Sequence, residues 1–256
     1  MTRLLPLASA VLLVLGAAAC GGNDDSAAPG SAARTSPTAT AAPSPAASTL
    51  DPADFVATID NPYLPLVPGT VFRYRATTEE GPEDEVVTVT HETRTILGIT
   101  AVVVHDVASH AGKPVEDTYD WYAQDRDGNV WYLGEDTKEL EDGKVVSTKG
   151  SWEAGRHGAR AGVVMRAHPQ VGDAYQQEFL KGQAEDQARV LSLTEHATVP
   201  YGAFEDVVMT KDFSPLEPDV VEHKYFARGI GSVLEVQVAG GTDLLALVSV
   251  ERQPGG

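Results

Sequence analysis

Between Ala154 and Gly172 the chain carries three arginines, Arg156, Arg160 and Arg166, with His157 and His168 and no Asp or Glu. The whole chain has 37 acidic residues against 19 Lys plus Arg, so this stretch is a candidate for holding an anion. A guanidinium presents forked donors that match a carboxylate or a phosphate. Trp152, or Tyr119 with Trp121, is available to supply an apolar wall beside it. The alternative is that these cations neutralise acidic neighbours within the fold. A second group follows the ligand rhythm of a calcium loop: Asp125, Asp127 and Asn129, the Trp131 carbonyl, and Asp136 twelfth in the count. It departs from that pattern in three ways. Gly128 falls fourth instead of sixth, an aspartate stands where a bidentate glutamate is expected, and strands flank the loop in place of helices. A solvated hairpin turn accounts for the same residues, so no metal is assigned.

Other chemistry is sparse. The seven histidines have neither H-x-H nor HExxH spacing. No G-x-S-x-G marks a nucleophile elbow, and Ser109-His110 reads as a strand-end pair. Adjacent acids such as Glu116-Asp117, Glu205-Asp206 and Glu217 with Asp219 are expected by chance in so acidic a chain. No cofactor motif is present, and the expectation is a protein that is not an enzyme. The net charge of -18 resides on the folded part, since only Asp24 and Asp25 precede Asp51 among the acids. Such a surface repels nucleic acid.

The elements that must hold these residues are strands. Val115 to Thr137 reads as a hairpin: Thr118–Ala123 places Tyr119 and Trp121 on one face and Asp120 and Tyr122 on the other. Residues 125–129, with Gly128, supply the turn, and Val130–Leu133 returns. Val71–Ala76 puts Phe72 and Tyr74 opposite Arg73 and Arg75; Glu85–Thr90 aligns Val87 with Val89; Ala101–Val107 is an apolar run suited to burial on both faces. Helical periodicity is lacking. Its nearest approach, Ala184–Leu193, ends in a strand-like Val190-Leu191-Ser192-Leu193. The fold class is all-β, in antiparallel meanders.

Shifting the chain by 103 or 104 residues aligns landmarks in order. Gly69 meets Gly172, Val87 and Val89 meet Leu191 and Leu193, Gly98 meets Gly202, Trp121-Tyr122-Ala123 meets Tyr225-Phe226-Ala227, and Gly128 meets Gly231. Two repeats, approximately 69–148 and 172–250, would form a barrel-like or two-sheet structure, with Ala154–Gly172 joining them where a cleft would form. A meander without repeats, its strands similar in length, is the alternative.

Residues 1–19 are a short basic start followed by an apolar run of signal-peptide length. Leu15-Gly16-Ala17-Ala18-Ala19-Cys20-Gly21 resembles the lipobox of bacterial lipoproteins, departing from it at Ala17, where leucine is usual. The resemblance implies that Cys20, the single cysteine, becomes an acylated N-terminus carrying palmitate-type chains. Ordinary signal-peptidase cleavage after Ala17-Ala18-Ala19 is the alternative. Residues 20–50 are a linker of Ala, Ser, Thr, Pro and Gly that buries too little to order itself, and 51–256 is the β-rich domain. That linker composition looks actinobacterial. Tyr63-Leu64-Pro65-Leu66-Val67-Pro68-Gly69-Thr70, Tyr119-Asp120-Trp121-Tyr122-Ala123 and Tyr225 to Val233 resemble features of a group of secreted bacterial lipoproteins. More distantly the chain is similar to envelope lipid carriers with curved half-barrels, without the helices that cover those. The expectation is a lipoprotein on the outer face of the cell membrane, binding a lipophilic or anionic small molecule or an envelope partner. The alternatives are an interaction module without a pocket and a hydrolase with a scattered site.

Overall fold

The computed structural model describes residues 50–79 and 81–252; the leader, Cys20 and most of the linker lie outside the described residues. After a 3-10 turn at Pro52–Asp54, the first strands are β1 (Phe55–Val56), β2 (Thr70–Thr78), β3 (Gly81–Ile96), β4 (Ile99–His110), β5 (Lys113–Asp125) and β6 (Val130–Glu141). Four short pieces follow, β7 (Lys144–Ser147), β8 (Trp152–Glu153), β9 (Arg160–Met165) and β10 (Ala174–Gln176), then β11 (Glu178–Phe179). The long strands resume with β12 (Gln187–Val199), β13 (Gly202–Ser214), β14 (Glu217–Ala227), β15 (Gly231–Ala239) and β16 (Leu244–Arg252).

All pairings are antiparallel, and the sheet runs β10-β12-β13-β14-β15-β16-β2-β3-β4-β5-β6-β9-β11. Its two ends lie on one stretch of chain, residues 174–179. Tyr175 pairs with Ala188 of β12, and Glu178 pairs with Ala161 of β9. That stretch draws the sheet into a nearly closed barrel. At the seam β9 comes so near that a Cβ on Gly162 would overlap the Gln176 carbonyl oxygen, so only glycine fits there. Closure leaves few raw edges for another chain to pair with.

The expected strands form for the expected reason. Phe72 and Tyr74 are buried while Arg73 and Arg75 are exposed, and Ala101, Val102, Val103 and Val104 are all buried. Gly128, with φ of 85°, makes the β5–β6 turn, where Asp125 N–H donates to the Asn129 carbonyl at 3.0 Å. Gly69 N–H donates to the Val89 carbonyl at 2.8 Å and Gly172 N–H to that of Val190 at 2.9 Å. Thr70 N–H meets the Val67 carbonyl at 3.1 Å, and Asp173 N–H that of Gln170 at 3.0 Å. The segment expected to border a cleft is part of the wall instead. Its β9 pairs with β6 through Trp131 and Val163, and β8 and β7 continue that edge of β6.

Alternation of turns gives the barrel two distinct ends. Turns at 97–98, 126–129, 200–201 and 228–230 lie at one, crossed by the proline-rich segment 57–69, which we call the strap. Turns after Thr78, His110, Glu141, Ser214 and Ala239 lie at the other.

Candidate binding site

Three prolines keep the strap extended, and side chains fix it across the barrel end. Asn61 accepts from the N–H groups of Tyr63 at 2.8 Å and Leu64 at 3.0 Å, and its Nδ2 donates to the Gly128 carbonyl at 2.7 Å. Gly229 N–H donates to the Pro62 carbonyl at 2.7 Å, and the Arg228 guanidinium lies 4.7 Å over the Tyr63 ring. These bonds hold Ile59, Leu64 and Leu66 facing into the core.

Beneath the strap is a small apolar cleft. Its wall is Leu64, Leu66, Val87, Val104, Tyr122, Val164 and Phe226, with Gln177 and Lys224 as its polar residues. Toward the opposite end the interior changes character. Glu85, Asp106, Asp120, Glu135, Glu178, Asp212, Glu222 and Glu235 are all buried, and Lys224 is the one buried basic side chain among the described residues.

Some of these acids have good donors. Tyr132 OH donates to Asp120 Oδ1 at 2.6 Å, Trp152 Nε1 to Glu178 Oε2 at 2.7 Å, and Gln177 Nε2 to Asp212 Oδ2 at 3.0 Å. Lys224 Nζ is 3.3 Å from Glu235 Oε2 and 3.9 Å from Glu222 Oε2. Other acids are poorly supplied. Neither oxygen of Asp106 or of Glu222 has a hydrogen-bond donor in good geometry, and the neighbour of Asp106 is the Glu85 carboxyl, a second acid. Burial is the main cause that raises the pKa of every one of these carboxyls that titrates abnormally. Asp120 is pushed up to about 7 and Glu222 to about 8; Glu85 is raised well above the ordinary carboxyl range by burial and the charges of Glu235 and Glu116, and Asp106 by burial and the charge of Glu85. Asp186 is also raised to about 7 by burial. For Lys224 burial opposes the charge, but Glu235, Glu222, Asp212 and Asp186 outweigh it and the pKa is raised.

The residues singled out from sequence are divided between the barrel faces. Trp152 is interior, edge-on to Tyr132 at 5.3 Å. Tyr119 and Trp121 take the outer face of β5, where Tyr119 stacks on His105 at 4.2 Å and Arg94 lies 4.0 Å over Trp121. The three arginines have three different partners. Arg156 pairs with Glu153, Arg160 lies 3.8 Å over Phe179, and Arg166 is 3.6 Å from Asp173. In the turn, Asp125 accepts from Asn129 N at 2.8 Å, Asn129 Nδ2 at 2.9 Å and Trp131 Nε1 at 2.8 Å. Asp127 lies in that turn, whereas Asp136 pairs with Tyr119, six residues along β5 from Asp125 and therefore about 20 Å away. Among the described residues there is no group of three or more His, Cys, Asp or Glu arranged to hold a metal ion.

Sequence reasoning passed over the interior acids. Their signal was alternation: Glu83, Glu85, Val87 and Val89 share one strand face, as do Glu222, Lys224 and Phe226.

No family model matches the chain, and no curated protein matches it. Two solved structures are similar. One is a Bacteroides fragilis protein described as exported and of YmcC-like fold, 15% identical, with a TM-score of 0.44 over 74% of this chain and 99% of that one. The other is a Parabacteroides distasonis protein described as a lipoprotein, 11% identical, with a TM-score of 0.36 over 75% of this chain and 100% of that one.

Proposed function

We propose that the chain is a non-catalytic lipoprotein of the cell envelope whose barrel holds a small lipophilic molecule in the cavity under the strap. The observation that carries this reading is the lining of the cleft: seven apolar or aromatic residues with two polar ones, Gln177 and Lys224. An apolar lining with a few polar groups is what small-molecule sites have in common. A lipophilic occupant is favoured over an anionic one. The three arginines 156, 160 and 166 are engaged on separate partners, and the interior charge is overwhelmingly acidic. Acylation at Cys20 would tether the barrel to the outer face of the membrane through the linker, whose Ala/Pro/Thr composition fits the actinobacterial type. The halves 69–148 and 172–250 are copies of one meander in this reading, supported by the turn bonds Thr70 to Val67 and Asp173 to Gln170, which stand at one shift along the chain.

The test is native mass spectrometry of the full chain taken from its own host, with Val164→Phe and Leu66→Phe, each filling the cavity, as controls. The expected result is a lipophilic adduct on the natural chain that both variants lose. A bare natural chain, or an adduct that survives both fillings, overturns the proposal.

A further inference from the structure

The outward side of the barrel wall is not uniform. On β3, β4 and β5 it mixes Asp84, Thr88, His105 and Asp117 with Val86 and Val107, as a wall facing water should. On β13–β16 the same side is apolar. Met209, Tyr225, Leu234 and Ala246 form one row across the four strands, and Lys211, His223, Val236 and Leu244 form the next. Phe213 and Val221 pair beyond them, and Val238 and Val248 stand out at 48% and 40% exposure. Lys211 and His223 are the polar side chains in these rows, and no Asp or Glu is among them, in a chain with 37 acids. The acid that reaches the face is Glu195 of β12, whose charge acts on Tyr225 and His223. The inward side of the same strands is filled separately, by Lys224, Glu235 and Leu247 among others, so alternation puts the apolar rows on the outer surface. An apolar patch left outside in this way marks an interaction surface.

We propose that this face lies on the surface of the lipid bilayer, the barrel resting on its side with β13–β16 against the headgroups. This depends on the reading of the chain as a lipoprotein acylated at Cys20 and adds which face meets the lipid. Thirty residues separate Cys20 from Leu50, where the described chain begins, and a chain of that length reaches at most about 100 Å. The bilayer is therefore the apolar partner always at hand, although the chain joins the wall at β5, where Phe55 pairs with Asp125. Charge selects the side. With a net charge of -18 most of the surface is repelled by anionic headgroups, and the acid-free rows that hold Lys211 are the part that is not. Tyr225 and Lys211 suit the headgroup layer, each having an apolar body and a polar tip.

The experiment uses the full chain taken from its own host's membranes and placed in phosphatidylcholine–phosphatidylglycerol vesicles whose acyl chains carry bromine. A bimane label is attached to Val248→Cys and, as the control, to Ser109→Cys, which stands on the outward side of β4 opposite Asp84. The expected result is quenching by bromine at least about threefold stronger at position 248 than at 109, since an apolar face lying in the interface reaches the edge of the acyl region. Val238→Cys repeats the measurement if Val248→Cys does not fold. Equal quenching, or stronger quenching at 109, in a chain that floats with the vesicles overturns the face assignment and leaves the tether standing. Blue-shifted emission at 248 that bromine does not quench means that protein, a second copy included, covers the face, and this also overturns the proposal. A natural chain that stays behind when the vesicles float overturns the tether and the face together.

Discussion

The two ends of the barrel interior are built on the same strands and filled by opposite chemistry. Near the strap, Val89, Val130, Tyr132, Leu133 and Leu247 are sealed from water, and Asn61 satisfies the backbone that covers them. At the other end, Glu85, Asp106, Glu222 and Glu235 occupy equivalent inward positions on continuing strands. The first arrangement is what holds a β-barrel together: apolar burial stabilises by about 25 cal/mol per Å2 removed from water. The second does the reverse, since buried acids without full hydrogen bonding oppose folding. The strap end therefore carries the stability, and the acidic end draws on it. A protein that keeps such an end is holding chemistry there that a core of leucine would not supply.

The sharpest way to break this comparison is to make the ends alike. Val89→Asp places a carboxyl in the strap-end core at a position with no exposure and no donor of its own. It should cost more than about 4 kcal/mol, enough to abolish folding or move the urea midpoint drastically. A mild effect would mean that the strap end tolerates acids as the far end does. Asn61→Ala removes one donor and one acceptor from the strap while leaving the barrel strands intact. A loss of about 1–3 kcal/mol in the same melts is expected, with faster hydrogen exchange at Tyr63 and Leu64. Smallest of all should be Arg75→Gln on the outer face. Its ion pair with Asp84 is 2.6 Å long, but both side chains are more than half exposed, so a change below about 0.5 kcal/mol is expected. A larger change would give the outer surface a share in stability that the comparison denies it.

The strap end was the more legible in the sequence. Phe72 and Tyr74 alternate with Arg73 and Arg75, so facing and burial follow from the period of two. The run Ala101–Val104 is apolar throughout because both its faces are covered, and Gly128 sits where the β5–β6 turn needs a positive φ. The acidic end was hidden by the same rule, because a polar residue in an alternating strand is ordinarily read as facing water. Glu85 and Glu222 share a face with Val87 and Phe226, and only barrel closure makes that face interior along its whole length. Closure depends on residues 174–179, whose partners Ala188 and Ala161 carry no local signal of pairing. For the same reason the sequence could not name the partners of the arginines of 154–172. Arg160 and Arg166 find Phe179 and Asp173 only once β9 joins the wall.

The division of the interior has one direct readout, the dependence of stability on pH. Burial raises Asp120 and Asp186 to about 7 and Glu222 to about 8, and raises Glu85 and Asp106 well above the ordinary carboxyl range. The folded chain thus keeps protons that the unfolded chain has released, so stability must fall as pH rises from the ordinary carboxyl range through 7 and 8. Lys224, raised further above its usual value, stays charged in both states across this window and contributes no slope. Thermal melts of the full chain should give a Tm roughly 10 °C higher at about pH 5.5 than at about pH 8.5. Asp106→Asn combined with Glu222→Gln should shrink that difference. A Tm that is level across the range, or higher at the alkaline end, would contradict a barrel whose far half is filled with buried acids.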